Sequence, residues 1–370
     1  MADQTALPPR PPLPAQVQPR PLLVARDIRD PARLGIVVVN YRQPRFTIEC
    51  LESLLRLPPE VRIVVVDNGS GDDSLAVLRA WASGAEPWEA PAGPVARLTM
   101  PPVRKPVALV PAGPGTRIRP GASAPRLTLL ESAENLGFAG GNNLGTRYLL
   151  SDPAIDIVWY VNNDAVVAPG AAQALVGTFA ADPKIGMAGT TVCYHDRPDI
   201  IQARNGARFS LLSGNGQLID NGKPARSPVD MKRVVDETGF VTGASLAISR
   251  ALWDAVGEMS EAYFLYFEEI DWATRAKGRF RFGYARAATV YHRHGGTVGS
   301  APVRALRSPR AEYWMLRSRL RFYATHYPLL WPVQWLYGLA QTVWQGVRGR
   351  RAKVGPMLRA LAGRPFPPGD

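Results

Sequence analysis

The apolar pattern of this chain alternates between short β-branched runs and helically spaced stretches. Residues 34–39 form an apolar run closed by Asn40-Tyr41, and Pro44 then opens a segment with Ile48, Leu51, Leu54 and Leu55 on one helical face. Residues 61–66 repeat the run and end in Asp67-Asn68-Gly69-Ser70, ahead of an amphipathic stretch through Leu75, Leu78 and Trp81. Residues 127–130 and 155–161 are two further strands, the second running straight into Asn162-Asn163-Asp164. Successive strand-helix units of this kind predict an α/β fold with a doubly wound, mostly parallel sheet and a ligand cleft along the carboxyl ends of its strands.

Three polar side chains at the end of a buried strand belong at its open end, because the interior would leave them unpaired. A lone carboxylate there, Asp164, suits a divalent cation held largely by substrate oxygens, although a polar turn or helix cap accounts for the same residues equally well. Asp67 stands where an acidic group can meet a ribose or a base edge. Asn135-Leu136-Gly137-Phe138 with Gly140-Gly141-Asn142-Asn143 combines glycines, which let backbone approach a ligand, with amides at a helix start. No lysine follows these glycines and the first strand-helix turn contains none, so neither a Walker loop nor a dinucleotide fingerprint is present.

Between residues 84 and 126 the periodicity disappears and ten prolines interrupt the chain, which predicts a mobile insertion. Residues 1–33 are rich in proline and arginine and lack a continuous apolar signal region, which predicts a disordered arm in the cytoplasm. The length of 370 residues and a 46% hydrophobic content are enough for one large domain, assigned here to residues 34–300. Cys50 and Cys193 sit in apolar segments without metal-ligand spacing, so both read as core thiols in a reducing compartment.

Charge changes the picture only at the end of the chain. Residues 301–370 hold twelve Lys or Arg against Glu312 and Asp370, so the tail supplies +10 of the net +13. That distribution argues against a nucleic-acid-binding core and for an appendage that meets an anionic membrane surface. Tyr313, Leu316, Leu320 and Tyr323 share one helical face, the pattern of an interfacial helix. Residues 322–347 carry no Asp, Glu, Lys or Arg but contain Pro328, Pro332 and three glutamines, which favours a helix lying on the inner leaflet over one that spans it. The competing reading is a helical subdomain packed on the main domain.

The order of these motifs resembles glycosyltransferase family 2, in its rhamnosyltransferase-like branch. Val37-Val38-Val39-Asn40-Tyr41, Val65-Val66-Asp67-Asn68, Asn135-Leu136-Gly137-Phe138, Asn162-Asn163-Asp164, Thr242-Gly243-Ala244, Glu268-Glu269-Ile270-Asp271 and His292 carry the likeness, over roughly residues 34–299. The resemblance implies a GT-A fold and inverting transfer of a sugar from a nucleotide diphosphate donor to a hydroxyl of a glycan or polyprenyl-linked acceptor. dTDP-rhamnose leads among donors, with UDP-sugars of the galactofuranose type behind it. It further implies Asp164 as the holder of Mg2+ or Mn2+, in a motif whose first carboxylate is replaced here by Asn162. His292 would reach the metal or the diphosphate, with His294 a weaker candidate and Gly295, Gly296 and Thr297 forming a closing loop. Three carboxylates in four residues amid aromatics can raise a pKa toward neutrality. The resemblance makes Glu269, standing in place of the family's usual aspartate, the first candidate base and Asp271 the second. Asn40, Asp67, Asn135, Gly137, Asn142, Asn143 and Asn163 are the candidate donor-binding residues. Residues 183–241 are expected on the acceptor side, and Trp253 and Phe264 either line the sugar pocket or pack in the core.

Overall fold

The computed structural model describes residues 30–118, 125–293 and 307–366. The expected arm therefore falls almost wholly outside the described residues, as do His294, Gly295, Gly296 and Thr297. The first two units appear as read: β1 (Leu34–Asn40), α1 (Pro44–Leu54), β2 (Arg62–Asn68) and α2 (Ser74–Ser83). β3 (Leu109–Ala112), β4 (Leu127–Ser132), α3 (Gly137–Leu150), β5 (Ile157–Val161), β6 (Ala165–Val167), α4 (Ala171–Ala181) and β7 (Ile185–Tyr194) follow. Then come β8 (Ile201–Arg204), β9 (Gly206–Ser210), β10 (Asn215–Leu218), α5 (Met231–Glu237), β11 (Phe240–Val241), β12 (Ser245–Ser249), α6 (Arg250–Val256), α7 (Glu268–Ala276) and β13 (Arg281–His292). Three helices close the chain: α8 (Pro309–His326), α9 (Trp331–Val347) and α10 (Arg351–Leu361).

The main sheet has the order β3-β4-β2-β1-β5-β12-β7-β13-β6, with β8 on β7, while β9, β10 and β11 make a small second sheet. β1 through β5 pair in parallel, whereas β12 runs antiparallel to both β5 and β7. Two reversals restore the original sense at β7 and β13, so the carboxyl ends of β1, β2, β4, β5 and β13 share one edge. β6 turns back antiparallel to β13 with Ala165 opposite His292. That register places Asp164 beside His292, though 127 residues of chain separate them.

Alternation along the strands builds a core on each face. Ile36, Val38, Ile63, Val65 and Trp159 meet α1, α2 and α4 on one side; Val37, Val64, Val66, Val158 and Tyr160 meet α3, α6 and α7 on the other. α3 sits close to the sheet because Gly145 leaves room: a Cβ there would lie 2.6 Å from Val37 Cγ1.

The structure corrects two expectations. The proline-rich insertion is not a mobile loop in its described part. It adds β3 as a parallel edge strand on β4, a position where Pro111 is tolerated because one side of an edge strand needs no donor. Buried Glu52 of α1 ties it down, accepting from the Val103 amide at 2.8 Å, Lys105 Nζ at 2.9 Å and the Trp81 indole at 2.9 Å. Within residues 183–241, expected to hold strands and loops, β7 is buried along its whole length in the middle of the sheet. Finally, the face of α8 expected at an interface points inward. Tyr323 joins the core of the α/β domain beside Phe322, while Tyr313, Leu316 and Leu320 pack with Met357 and Ala360 of α10. No helix among the described residues is long and apolar enough to cross a membrane.

Candidate active site

A cleft of about 600 Å³ opens at the carboxyl edge of the sheet, on the side covered by α3 and α7. Asn135, Gly137, Asn142, Asn163, Asp164, Glu269 and His292 all line it. Residues from four separate stretches of sequence therefore meet around one space.

The strand ends decide which polar groups face that space. Asn40 is registered against Asp67, so their side chains lie together on one face of the sheet, and the next residue of each strand turns to the opposite face. Asn40 Nδ2 donates to Asp67 Oδ1 at 2.8 Å and Thr47 Oγ1 donates to Asn40 Oδ1 at 2.7 Å, while Ser70 Oγ donates to Asp67 Oδ1 at 2.6 Å. Asn40 and Asp67 are buried in this network and do not line the cleft, which corrects their assignment as donor contacts. Val39, Tyr41 and Asn68, on the alternate positions, do line it.

α3 begins at the rim. Gly137 has φ +70°, and a Cβ there would stand 2.4 Å from the carbonyl oxygen of Phe264, so only glycine fits this turn without displacing the loop before α7. Asn68 Oδ1 accepts from the Leu136 amide at 3.1 Å and Asn135 Oδ1 from the Gly137 amide at 2.9 Å, which fixes the loop from both sides. Asn142 faces the cleft with its amide donating to Phe138 O at 2.9 Å. Asn143, one residue on, turns away: it donates to Met259 O and Glu261 Oε1, each at 2.9 Å, and accepts from the Met259 amide at 3.1 Å. It staples α3 to the chain ahead of α7 and is not a donor contact.

At the end of β5, Asp164 Oδ1 lies 3.1 Å from His292 Nε2 and takes no hydrogen bond from the described residues. Gln202 Oε1 sits 2.9 Å from His292 Nδ1, which places the ring proton on Nδ1 and turns the Nε2 lone pair toward Asp164; Asn162 Nδ2 is 3.1 Å from the same nitrogen. Two electron-pair donors side by side form the arrangement that a cation completes. Among the described residues no group of three His, Cys, Asp or Glu could hold a metal. A cation here would thus draw its remaining ligands from bound phosphate and water, as Mg2+ and Mn2+ commonly do. Glu49 braces the pair from behind: it binds Arg293 Nη2 at 2.6 Å and His195 Nε2 at 3.2 Å, and the Arg293 amide donates to Asp164 O at 3.1 Å.

The carboxylates of α7 divide by environment. Tyr266 and Phe267 hold φ values of +66° and +72°, sparsely populated for such side chains, and this turn aims the first residues of α7 into the cleft. Glu268 and Glu269 both line it, and each has an oxygen without a hydrogen bond among the described residues. Burial raises Glu269 to about 7. Burial and the neighbouring Glu269 charge push Glu268 well above the carboxylate range. Asp271 is different. Burial alone would raise it, but a hydrogen bond to His326 at 2.7 Å and the Arg275 guanidinium at 2.7 Å outweigh that and hold it low. It does not line the cleft and its oxygens are engaged, which corrects its place as second candidate base.

Asp271 instead locks α7 to α8. Asp271→Asn is expected to cost about 2–3 kcal/mol of stability, the range for hydrogen bonds to charged groups, while leaving the cleft lining in place. Because its folded pKa is depressed, the contribution is present above its unfolded value and disappears as pH falls through the folded one, so the gap in melting temperature between the two proteins closes in acid.

Sequence reasoning missed Gln202, which carries no local signal, and Ser308 and Arg310 at the start of α8, which line the cleft from the tail. The Ser308-Pro309 pair marks a helix start, with Ser308 Oγ accepting from the Ala311 amide at 3.1 Å, but nothing in it points to the cleft. Phe264 lines the cleft and stacks on Trp314 at 4.6 Å, whereas Trp253 packs against Trp272 in the core.

The family model described as Glycosyl transferase family 2 matches residues 35–90, the span of β1, α1, β2 and α2. That stretch resembles glycosyltransferase family 2. The chain's mixed sheet has helices on both faces and the cleft at the strand ends. The chain is similar to the low-salt glycan biosynthesis hexosyltransferase Agl10 of Haloferax volcanii, 23% identical over 251 residues that make up 66% of this chain and 61% of that protein. It is also similar to the N-acetylglucosaminyl-diphospho-decaprenol L-rhamnosyltransferase of Mycobacterium tuberculosis, 25% identical over 194 residues, 48% of this chain and 62% of that one. The match thus spans about three fifths of these relatives. A solved structure of the mannosyltransferase PcManGT from Pyrobaculum calidifontis, in complex with GDP-Man and Mn2+, aligns over 93% of this chain and 78% of its own at 17% identity and a TM-score of 0.47.

Proposed function

We propose that this chain is an inverting glycosyltransferase of family 2 that moves a sugar from a nucleotide diphosphate donor to a hydroxyl of a glycan or polyprenyl-linked acceptor, in the making of a cell-surface polysaccharide. The observation that carries the reading is the meeting of Asp164, His292 and Glu269 in one cleft, an electron-pair-rich pair on one strand edge and a carboxylate of raised pKa on α7.

In this reading Asn68 and Asn135 hold the α3 loop against the donor and Asn163 extends the polar floor. Asp164 and His292 are the residues that would hold Mg2+ or Mn2+, which when bound offsets the negative charge gathering on the leaving diphosphate. Glu269, ionised, accepts the proton of the acceptor hydroxyl as its oxygen attacks the anomeric carbon from the face opposite the diphosphate. The new C–O bond forms, the old one breaks, and the diphosphate departs with the electron pair, so the anomeric configuration inverts. Phe138 and Phe264 wall the cleft and exclude water that would otherwise compete with the acceptor.

dTDP-rhamnose is the leading donor, supported by the likeness to a protein named as an L-rhamnosyltransferase; a UDP-sugar of the galactofuranose type is the alternative. A polyprenyl-linked acceptor would place the protein at the inner face of the cell membrane, held peripherally by its basic tail. A thermal-shift panel of nucleotide sugars, each with and without Mn2+, tests the donor. Cation-dependent stabilisation by dTDP-rhamnose above the UDP- and GDP-sugars is the expected result. Preference for a UDP-sugar moves the donor assignment, and indifference to every nucleotide sugar contradicts transfer altogether.

A further inference from the structure

α9 is inside out. Its buried positions are Gln334, Gly338, Thr342 and Gln345, and its exposed ones are Val333, Leu336, Tyr337, Ala340, Val343, Trp344 and Val347. Each set recurs at three- and four-residue steps, so each occupies one face of the helix. Water-facing helices in globular proteins show the opposite arrangement, and here the polar face is committed inward by specific contacts. Gln334 Nε2 donates to Leu212 O at 2.7 Å, Arg319 Nη2 to Gln341 Oε1 at 3.0 Å, and Arg350 Nη1 to Gln345 Oε1 at 3.3 Å. At Gly338 a Cβ would stand 2.7 Å from Leu316 Cδ1, so the helix is seated closely against α8 through this side. Rotation that hid the apolar stripe would break all of these contacts.

The stripe does not stand alone. Leu212, whose carbonyl holds Gln334, is 81% exposed at the tip between β9 and β10, and Leu329 just ahead of α9 is 92% exposed. Two elements far apart in sequence thus present bare leucines around one helix.

Charge identifies the occupant. No Asp or Glu occurs between Glu312 and Asp370, whereas nine Lys or Arg do, and Arg348, Arg350 and Arg351 follow directly on the stripe. Arg348 lies over the Trp344 ring at 4.6 Å, at the end of a face that also carries Trp331 and Tyr337. A second copy brought face to face would offer these arginines no carboxylate, because the stripe and its flanks carry none. Aromatic rings with polar edges, bare aliphatic side chains and an arginine cluster match the interface of an anionic bilayer.

We infer that α9, with Leu329 ahead of it and Arg348 and Arg351 after it, is a built lipid-docking face that lies flat on an anionic membrane. It deepens the membrane-surface part of the reading above and does not rest on the transfer chemistry. Flotation of the full chain with phosphatidylglycerol-containing vesicles, with phosphatidylcholine vesicles alone, and with the double variant Leu336→Glu, Val343→Glu tests it. Both side chains are mostly exposed, so the variant should keep the wild-type melting temperature. The wild type is expected to float with anionic vesicles and poorly with neutral ones, and the variant to partition on the order of tenfold or more less strongly. A folded wild type that ignores both vesicles, or a variant that floats equally well, overturns the inference. So does a wild-type dimer in sedimentation that the variant converts to monomer without any vesicle binding, which gives the face to a second copy. Transfer to a water-soluble acceptor without vesicles should be equal in both proteins, and its absence in both would fault the transfer reading alone.

Discussion

Glu269→Gln is expected to lower transfer by about a thousandfold while leaving donor binding intact and making the protein more stable at alkaline pH. The amide keeps the size of the side chain but cannot accept the acceptor's proton. The stability gain follows from the sign of the pKa shift. Burial raises Glu269 from 4.5 to about 7, so the folded state favours the neutral carboxyl. Its contribution is complete below the unfolded value and is lost as pH rises through the folded one. The two proteins should therefore melt together at pH 5 and separate at pH 8, with the variant higher. The same group sets the pH dependence of the wild type, whose kcat/KM should climb tenfold per pH unit at acid pH and level off above about 7. A variant that loses stability, or a profile flat through neutrality, would place the base elsewhere.

Asp164→Asn is expected to remove the cation dependence of donor binding and to lower kcat/KM by ~100–1,000-fold, the range for losing one preorganised charge-stabilising group. The variant retains the contact of the Asp164 main chain with Arg293, so the loop after β5 keeps its course. What it loses is the anionic oxygen 3.1 Å from His292 Nε2. Thermal shift with nucleotide diphosphate and Mn2+ reads the effect without any turnover. Stabilisation equal to that of the wild type would show that the diphosphate is held without Asp164.

The strand ends, the order of the units and the location of the cleft were legible in the sequence because apolar runs that end in polar clusters admit few arrangements in a parallel sheet. The side chains that face the cleft were less so. Asn40 and Asn68 look alike as strand-end amides, but the register of β1 on β2 pairs Asn40 with Asp67 and turns Asn68 the other way. Asn142 and Asn143 are neighbours on a helix, and one step of about 100° separates a cleft residue from a structural staple. Glu269 and Asp271 stand two residues apart, and their difference comes first from His326 on α8, 55 residues downstream of Asp271, with Arg275 one turn on adding to it. Register, helical phase and distant partners decided each case, and none of them is a property of the local sequence. In α8 and α9 amphipathicity was visible, yet it does not say which face has a neighbour. The face read as interfacial in α8 is core, and the neutral stretch behind it turned its polar side inward.

The central claim is that one cleft holds a diphosphate through a cation on Asp164 and His292 while Glu269 faces the sugar. Anomalous diffraction at the manganese edge, from crystals of Glu269→Gln grown with Mn2+ and the stabilising nucleotide sugar, tests it most directly. The account predicts a single peak within bonding distance of Asp164 Oδ1, His292 Nε2 and both phosphates, with the anomeric carbon turned toward residue 269. A peak away from Asp164 and His292, or a diphosphate bound outside this cleft, would contradict it.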